Sequence, residues 1–192
     1  MARQIKAVFF DAGGTILTIV KDRFERIREA LLARGIPVSI EEIQQADLEV
    51  REFLLRDVWI AKAEQEERFW GDYYRKIVEA LKVTDDVERL AQELLRETFW
   101  VDWTLPYPDA IPVLKALKGR YKLGVISNAY PSMLNALERT GLAPFMDSIT
   151  ISAYVGVGKP HPLIYQAALD SLQVQADESV FVDDLEENVS AA

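Results

Sequence analysis

Cysteine is missing from all 192 residues, which excludes a disulfide framework and any thiolate nucleophile. Histidine is nearly missing too: His161 stands alone. Basic residues are in short supply, 22 against 31 acidic ones, and the net charge of −9 argues against nucleic acid or an anionic membrane as the main partner. That deficit leaves room for a small phosphorylated substrate, which needs only a local cationic group. No apolar run approaches membrane-spanning length, and no charged segment leading into an apolar one opens the chain. A soluble cytoplasmic protein is therefore expected. What is present is a globular balance, 49% apolar and 28% charged, with length for one domain or for a domain carrying an insertion.

The most informative stretch is Ala7-Val8-Phe9-Phe10-Asp11-Ala12-Gly13-Gly14-Thr15. Four consecutive apolar residues read as a strand buried on both faces, and a Gly-Gly turn follows at once. Asp11 closes the strand, at the end where parallel α/β sheets bind ligands. Taken alone, Asp11 serves equally well as a turn cap.

After Thr15-Ile16-Leu17 the pattern turns helical for some eighty residues. Phe24, Ile27, Ala30 and Leu31 form one stripe, which Gly35 stops. Ser39 and Glu42 make a capping box ahead of Ile43, Ala46, Val50, Phe53 and Leu54. Phe69, Trp70, Tyr73, Ile77, Val78 and Leu81 make a third stripe. Asp85 or Asp86 opens a fourth, with Leu90, Ala91, Leu94 and Leu95. Aromatic stripes at helical spacing belong to a bundle core more often than to a cofactor box.

Trp103-Thr104-Leu105-Pro106-Tyr107-Pro108 reads as a proline-rich joint, and a strand–helix rhythm follows it. Tyr121–Ile126 is a buried strand ending at Ser127-Asn128, and Pro131 can open the next helix. Ser148–Ser152 is a third strand, Gly156–Pro160 a loop, and Pro162 the start of another helix. Ser179-Val180-Phe181-Val182-Asp183-Asp184 is a fourth strand. Such alternation implies an α/β fold: a Rossmann-like parallel sheet core with an inserted α-helical domain. The expected core is 1–16 with 105–192, and the expected insertion is 17–104. Asp11, Ser127, Asn128, Asp183 and Asp184 each close a strand, and Lys159 follows another, so these groups should meet at one sheet edge. Carboxylates, a hydroxyl and a lysine gathered there are costly without a function or an ion. Lys159 by itself also reads as a solvated loop residue.

In these four segments the sequence resembles the haloacid dehalogenase superfamily: Phe10–Thr15, Val125-Ile126-Ser127-Asn128, Gly158-Lys159-Pro160 and Phe181-Val182-Asp183-Asp184. The resemblance spans both sides of the insertion, which has the position and size of that superfamily's small helical cap. It implies a hydrolase, a phosphatase of a small phosphorylated metabolite working through an aspartyl-phosphate on Asp11. It implies Mg²⁺ held by Asp11, the Gly13 carbonyl and Asp184, with Asp183 in support, a hard-oxygen set suited to that ion. Gly14, Thr15, Ser127, Asn128 and Lys159 would bind the substrate, and Ser127 and Lys159 would assist Asp11 in catalysis.

One departure weakens the likeness. Family phosphatases carry a second aspartate, an acid and base, where this chain has Gly13. General acid–base help is worth about 10²–10⁴-fold, so a weak phosphatase is expected unless another group substitutes. Superfamily dehalogenases also lack that aspartate but do not normally use Mg²⁺, which leaves the Asp183-Asp184 pair unexplained. The alternatives are therefore a 2-haloacid dehalogenase-type hydrolase, or a catalytically weak member that binds a ligand and regulates. Anhydrides and acyl phosphates, which leave without protonation, would also suit the site. His161 is a substitute acid if its loop turns inward, and otherwise a solvent-facing helix start; a carboxylate of the helical insertion closing over the site is the other candidate. Asn188 stands where a family acid often supports the metal. The family continues past the last helix to a fifth strand, so either the core is truncated at Ala192 or it manages with four strands.

Overall fold

The structure, a computed structural model, describes residues 4–54 and 59–192, with residues 52–54 described by backbone alone. It divides into two compact units: residues through Thr18 together with Thr104–Ala192, and Ile19–Trp103.

The first unit begins with β1 (Ala7–Phe10), buried at every residue. A short β2 (Leu17–Ile19) follows, where the helical pattern was expected to begin. Helices α1 (Arg23–Leu32), α2 (Ile40–Leu54), α3 (Ala63–Leu81) and α4 (Val87–Thr98) make up the second unit. The chain then runs through β3 (Thr104–Pro106), α5 (Ala110–Leu117), β4 (Lys122–Ser127), α6 (Met133–Arg139) and β5 (Ser148–Ile151). Finally come α7 (Ser152–Val155), α8 (Pro162–Leu172), β6 (Ser179–Val182) and α9 (Glu186–Ala191).

Strands β5-β4-β1-β6 form one sheet, and each neighbouring pair is parallel. Phe10 pairs with Val125 and with Val182, while Ser127 pairs with Ile151. This register places Asp11 and Asp183 at one level of the carboxyl edge, with Ser127 one residue further along β4. One side of the sheet packs Ala7, Phe9 and Ile126 against Ile164, Tyr165, Ala168 and Leu172 of α8. These strands are nearly continuous apolar runs because β1 and β4 are covered on both faces. β6 lies at the sheet edge, where Val180 and Val182 remain 42% and 40% exposed.

Two readings of the sequence need correction. The Thr104–Pro106 joint is a strand, paired with β2 in a two-stranded sheet. Thr18, Ile19 and Val20 are β-branched, and the backbone bonds Val20 N to Trp103 O (2.9 Å) and Tyr107 N to Ile16 O (3.1 Å) frame the pair. Strands of three residues are too short to show a period. The strand ending at Ser152 stops at Ile151 instead, and residues 152–155 turn into the single-turn α7.

The helices start where local chemistry directs. Asp22 accepts from the Phe24 amide (2.7 Å), Asp86 from the Arg89 amide (3.4 Å), and Ser39 and Glu42 complete a capping box. Ile27, Leu31, Ile43, Val50, Tyr73, Ile77, Leu90 and Leu94 form the core of the helical unit. The side chains of Phe53 and Leu54, expected in the same stripe, lie outside the described residues. Asp47, almost fully buried in that unit, accepts from the Tyr73 hydroxyl at 2.6 Å and pairs with Arg23 at 2.9 Å and Arg51 at 3.1 Å.

Candidate active site

At the carboxyl edge of the sheet a cavity of about 220 Å³ is lined by Asp11, Gly13, Ser127, Asn128, Lys159, Asp183, Asp184, Met133, Leu185 and Asn188. Pockets that enclose a whole drug-sized ligand run to roughly 300–1,000 Å³, so this one suits only the reacting end of a substrate. Each side chain arrives from the register already described. Asp11 follows β1, and its amide donates to the Val182 carbonyl at 2.8 Å, which ties the β1 exit to the β6 exit. Ser127 is the buried last residue of β4.

Lys159 is the hub. Its ammonium reaches Asp11 Oδ1 at 2.6 Å and Asp183 Oδ2 at 2.5 Å, with its side chain only 2% exposed. The same Nζ lies 5.3 Å from the centre of the Phe181 ring. A buried lysine is tolerated only when paired, and two carboxylates pair it here. Asp183 is held further by the Leu185 amide at 2.8 Å and by Asn188 Nδ2 at 3.0 and 3.1 Å from its two oxygens. Tyr165, buried in α8, fixes Asn188 in turn by donating its hydroxyl to the Asn188 carbonyl (2.8 Å).

These surroundings push the two carboxyls apart. Burial raises Asp11 above the ordinary aspartate range, and Lys159 opposes that push without cancelling it. Burial also acts against charge on Asp183, but Lys159, the Leu185 amide and Asn188 together outweigh it and hold the carboxyl below its ordinary value.

Gly14 has a defined task. It sits at φ +93°, and a Cβ there would meet Asp184 Oδ2 at 2.6 Å, so the turn admits the Asp184 carboxylate only because Gly14 has no side chain. Asp184 itself makes no hydrogen bond or ion pair with the described residues, and it shares the cavity with Asp11 and the Gly13 backbone. Two carboxylates and a carbonyl at one small cavity are a donor set that fits Mg²⁺. Among the described residues no cluster of three or more acidic or histidine side chains stands ready for an ion. Asp183, expected from the sequence in support of the metal, instead spends its oxygens on Lys159, the Leu185 amide and Asn188, which leaves Asp11, Asp184 and the Gly13 carbonyl of that set.

All of Asp11, Gly13, Ser127, Asn128, Lys159, Asp183 and Asp184 therefore meet at one cavity. Gly14 touches it through Asp184. Thr15 is not among the lining residues, and its hydroxyl is buried without a hydrogen-bond partner. His161 is exposed and accepts from the Leu163 amide through Nδ1 (3.2 Å), so it caps α8 and stays out of the cavity. Sequence reasoning did not foresee the Tyr165–Asn188 support. The one available signal was a tyrosine in a buried helical stripe, whose hydroxyl must find a partner.

Comparison with known proteins agrees with this layout. Residues 5–192 match the family model described as a hydrolase, haloacid dehalogenase-like. The chain is 28% identical over 174 residues to a pyrimidine 5'-nucleotidase of Escherichia coli, covering 85% of this chain and 69% of that protein. It is 35% identical over 197 residues to a glyceraldehyde 3-phosphate phosphatase of Pyrococcus abyssi, covering 94% and 74% respectively. The solved L-2-haloacid dehalogenase of Xanthobacter autotrophicus is 28% identical, with a TM-score of 0.56 over 98% of this chain and 73% of that one. With the parallel sheet, the strand-end carboxylates and the lysine between them, these matches mean that the chain belongs to the haloacid dehalogenase-like hydrolases.

Proposed function

We propose that this hydrolase is a Mg²⁺-dependent phosphatase of small phosphorylated metabolites, with Asp11 as its nucleophile. The carrying observation is the Lys159 bridge: an ammonium within 2.6 Å of Asp11 neutralises charge where carboxylate and phosphate must approach each other. An oxygen of Asp11 bonds to phosphorus as the bond from phosphorus to the leaving-group oxygen breaks, and that oxygen departs with the electron pair; water then attacks the aspartyl-phosphate, which frees phosphate and restores the Asp11 carboxylate. Ser127 and the Asn128 amide hydrogen-bond the phosphate oxygens, while Lys159 supplies a fixed positive charge. Asp183 restrains Lys159 from its other side. Asp11, the Gly13 carbonyl and Asp184 would hold Mg²⁺, which when bound offsets the negative charge of the phosphate. The relatives named for nucleotide and glyceraldehyde 3-phosphate hydrolysis support a phosphorylated substrate.

A second reading, hydrolysis of a carbon–halogen bond, draws on Gly13 and on the likeness to the haloacid dehalogenase. A panel of phosphate esters, acyl phosphates and 2-haloacids, each assayed with and without Mg²⁺, separates the two. The phosphatase reading expects Mg²⁺-dependent phosphate release that Asp11→Asn abolishes. Metal-independent halide release with no phosphate release would replace it.

A further inference from the structure

Resting on the phosphatase reading, we infer that the substrates are acyl phosphates and other mixed anhydrides of phosphate rather than alkyl phosphate esters. The supply of protons around Asp11 decides between the two classes. An ester's departing alkoxide belongs to an alcohol about as weakly acidic as water, with a pKa of about 15.7, and leaves well only if a nearby acid protonates it. A carboxylate leaving group belongs to an acid of pKa about 4 and needs no such help.

Among the described residues, no group lining this cavity is placed to give that proton. Lys159 directs its ammonium at Asp11 and Asp183. Asp183 accepts from Lys159, from the Leu185 amide and from Asn188, so its oxygens are acceptors throughout. Asp184 is exposed beside Gly14 and belongs to the ion-holding set. Ser127 and the amides of Asn128 and Asn188 are far too weakly acidic. His161 caps α8 outside the cavity. At Gly13 itself a Cβ would meet nothing within 4 Å, so two residues past the nucleophile there is open space where an acid would fit.

For an anhydride the step balances without one. An Asp11 oxygen bonds to phosphorus as the bond from phosphorus to the acyl oxygen breaks, and the electron pair leaves with the acyl oxygen as a carboxylate. In the second half a water oxygen bonds to phosphorus and the Asp11–phosphate bond breaks, which restores the carboxylate. One proton of that water stays on the phosphate and the other goes to solvent.

The test is a leaving-group series on the full chain with Mg²⁺: acetyl phosphate, aryl phosphates of graded acidity, and glycerol phosphate. The expected kcat/KM falls steeply with leaving-group pKa, by more than about 10³-fold from acetyl phosphate to glycerol phosphate. In Gly13→Asp the ratio of glycerol phosphate to acetyl phosphate turnover is expected to rise about 10²-fold. The wild-type slope decides the matter even if that variant folds poorly. A flat series, with esters as fast as anhydrides, would overturn the inference while leaving the phosphatase reading in place. No turnover of any phosphoryl compound would overturn both.

Discussion

Asn128 and Lys159 hold each other by a reciprocal pair of hydrogen bonds: Asn128 Nδ2 donates to the Lys159 carbonyl at 2.8 Å, and the Lys159 amide donates to Asn128 Oδ1 at 2.6 Å. The side chain after β4 thus fixes the backbone from which the ammonium reaches Asp11. Gly158 makes this approach possible, because a Cβ there would meet Asn128 Oδ1 at 2.7 Å. Asn128→Ala is expected to release the loop and lower kcat/KM about 10- to 100-fold through misplacement of Lys159. Gly158→Ala should act in the same direction, since the added methyl displaces Asn128. Steady-state kinetics on both variants, with melting curves to verify folding, check this.

Gly14→Ala tests the turn beside Asp184. The new methyl would collide with the carboxylate and hold a non-glycine residue at positive φ, a strain of about 1–3 kcal/mol. The expected result is a higher Mg²⁺ concentration for half-maximal activity, read from a metal titration. An unchanged midpoint in a folded variant would remove Asp184 from the ion-holding set.

Without metal, the two carboxyls on Lys159 should titrate on opposite sides of the ordinary aspartate value of 3.8: Asp11 above it and Asp183 below. The signs for stability are opposite as well. A raised folded value gives a contribution present at low pH and lost as pH rises through that value, so Asp11→Asn should steady the metal-free protein most above it. A depressed folded value gives a contribution present above the unfolded value and lost as pH falls through the folded one. Asp183→Asn should therefore destabilise at neutral pH and flatten the acid limb of the stability curve. Carboxyl-carbon NMR titration and melting at stepped pH measure both.

In the helical unit, Asp47→Ala strands the Tyr73 hydroxyl and removes a carboxylate from Arg23 and Arg51, with an expected loss of about 2–4 kcal/mol. Tyr73→Phe deletes one hydrogen bond to a carboxylate that keeps two arginines, and should cost about 1 kcal/mol. Denaturant melts of the pair distinguish a buried network from a surface decoration.

How much of this was legible depended on what each residue's signal had to reach. Ala7–Phe10 and Leu123–Ile126 announce themselves as apolar runs, and the polar residue that ends each run inherits a position at the sheet edge from topology alone. Ser39 and Asp86 are local devices whose partners lie three residues away. Partnerships across long stretches of chain left no such trace. That Lys159 would divide its ammonium between Asp11 and Asp183 depends on side-chain reach, and the Tyr165–Asn188 bond joins residues 23 apart with no periodic relation. β2 and β3 escaped because three residues carry no period and a proline-rich joint looks the same whether or not it pairs.

The most direct test of the account is to look for the phosphoryl group on Asp11. The 192-residue chain with Mg²⁺ is mixed with acetyl phosphate, quenched in acid within one turnover and digested for mass spectrometry. The expected finding is one phosphoryl group on the peptide carrying Asp11, absent from Asp11→Asn. Phosphate release with no modified Asp11 at any quench time, or equal turnover by Asp11→Asn, would contradict it.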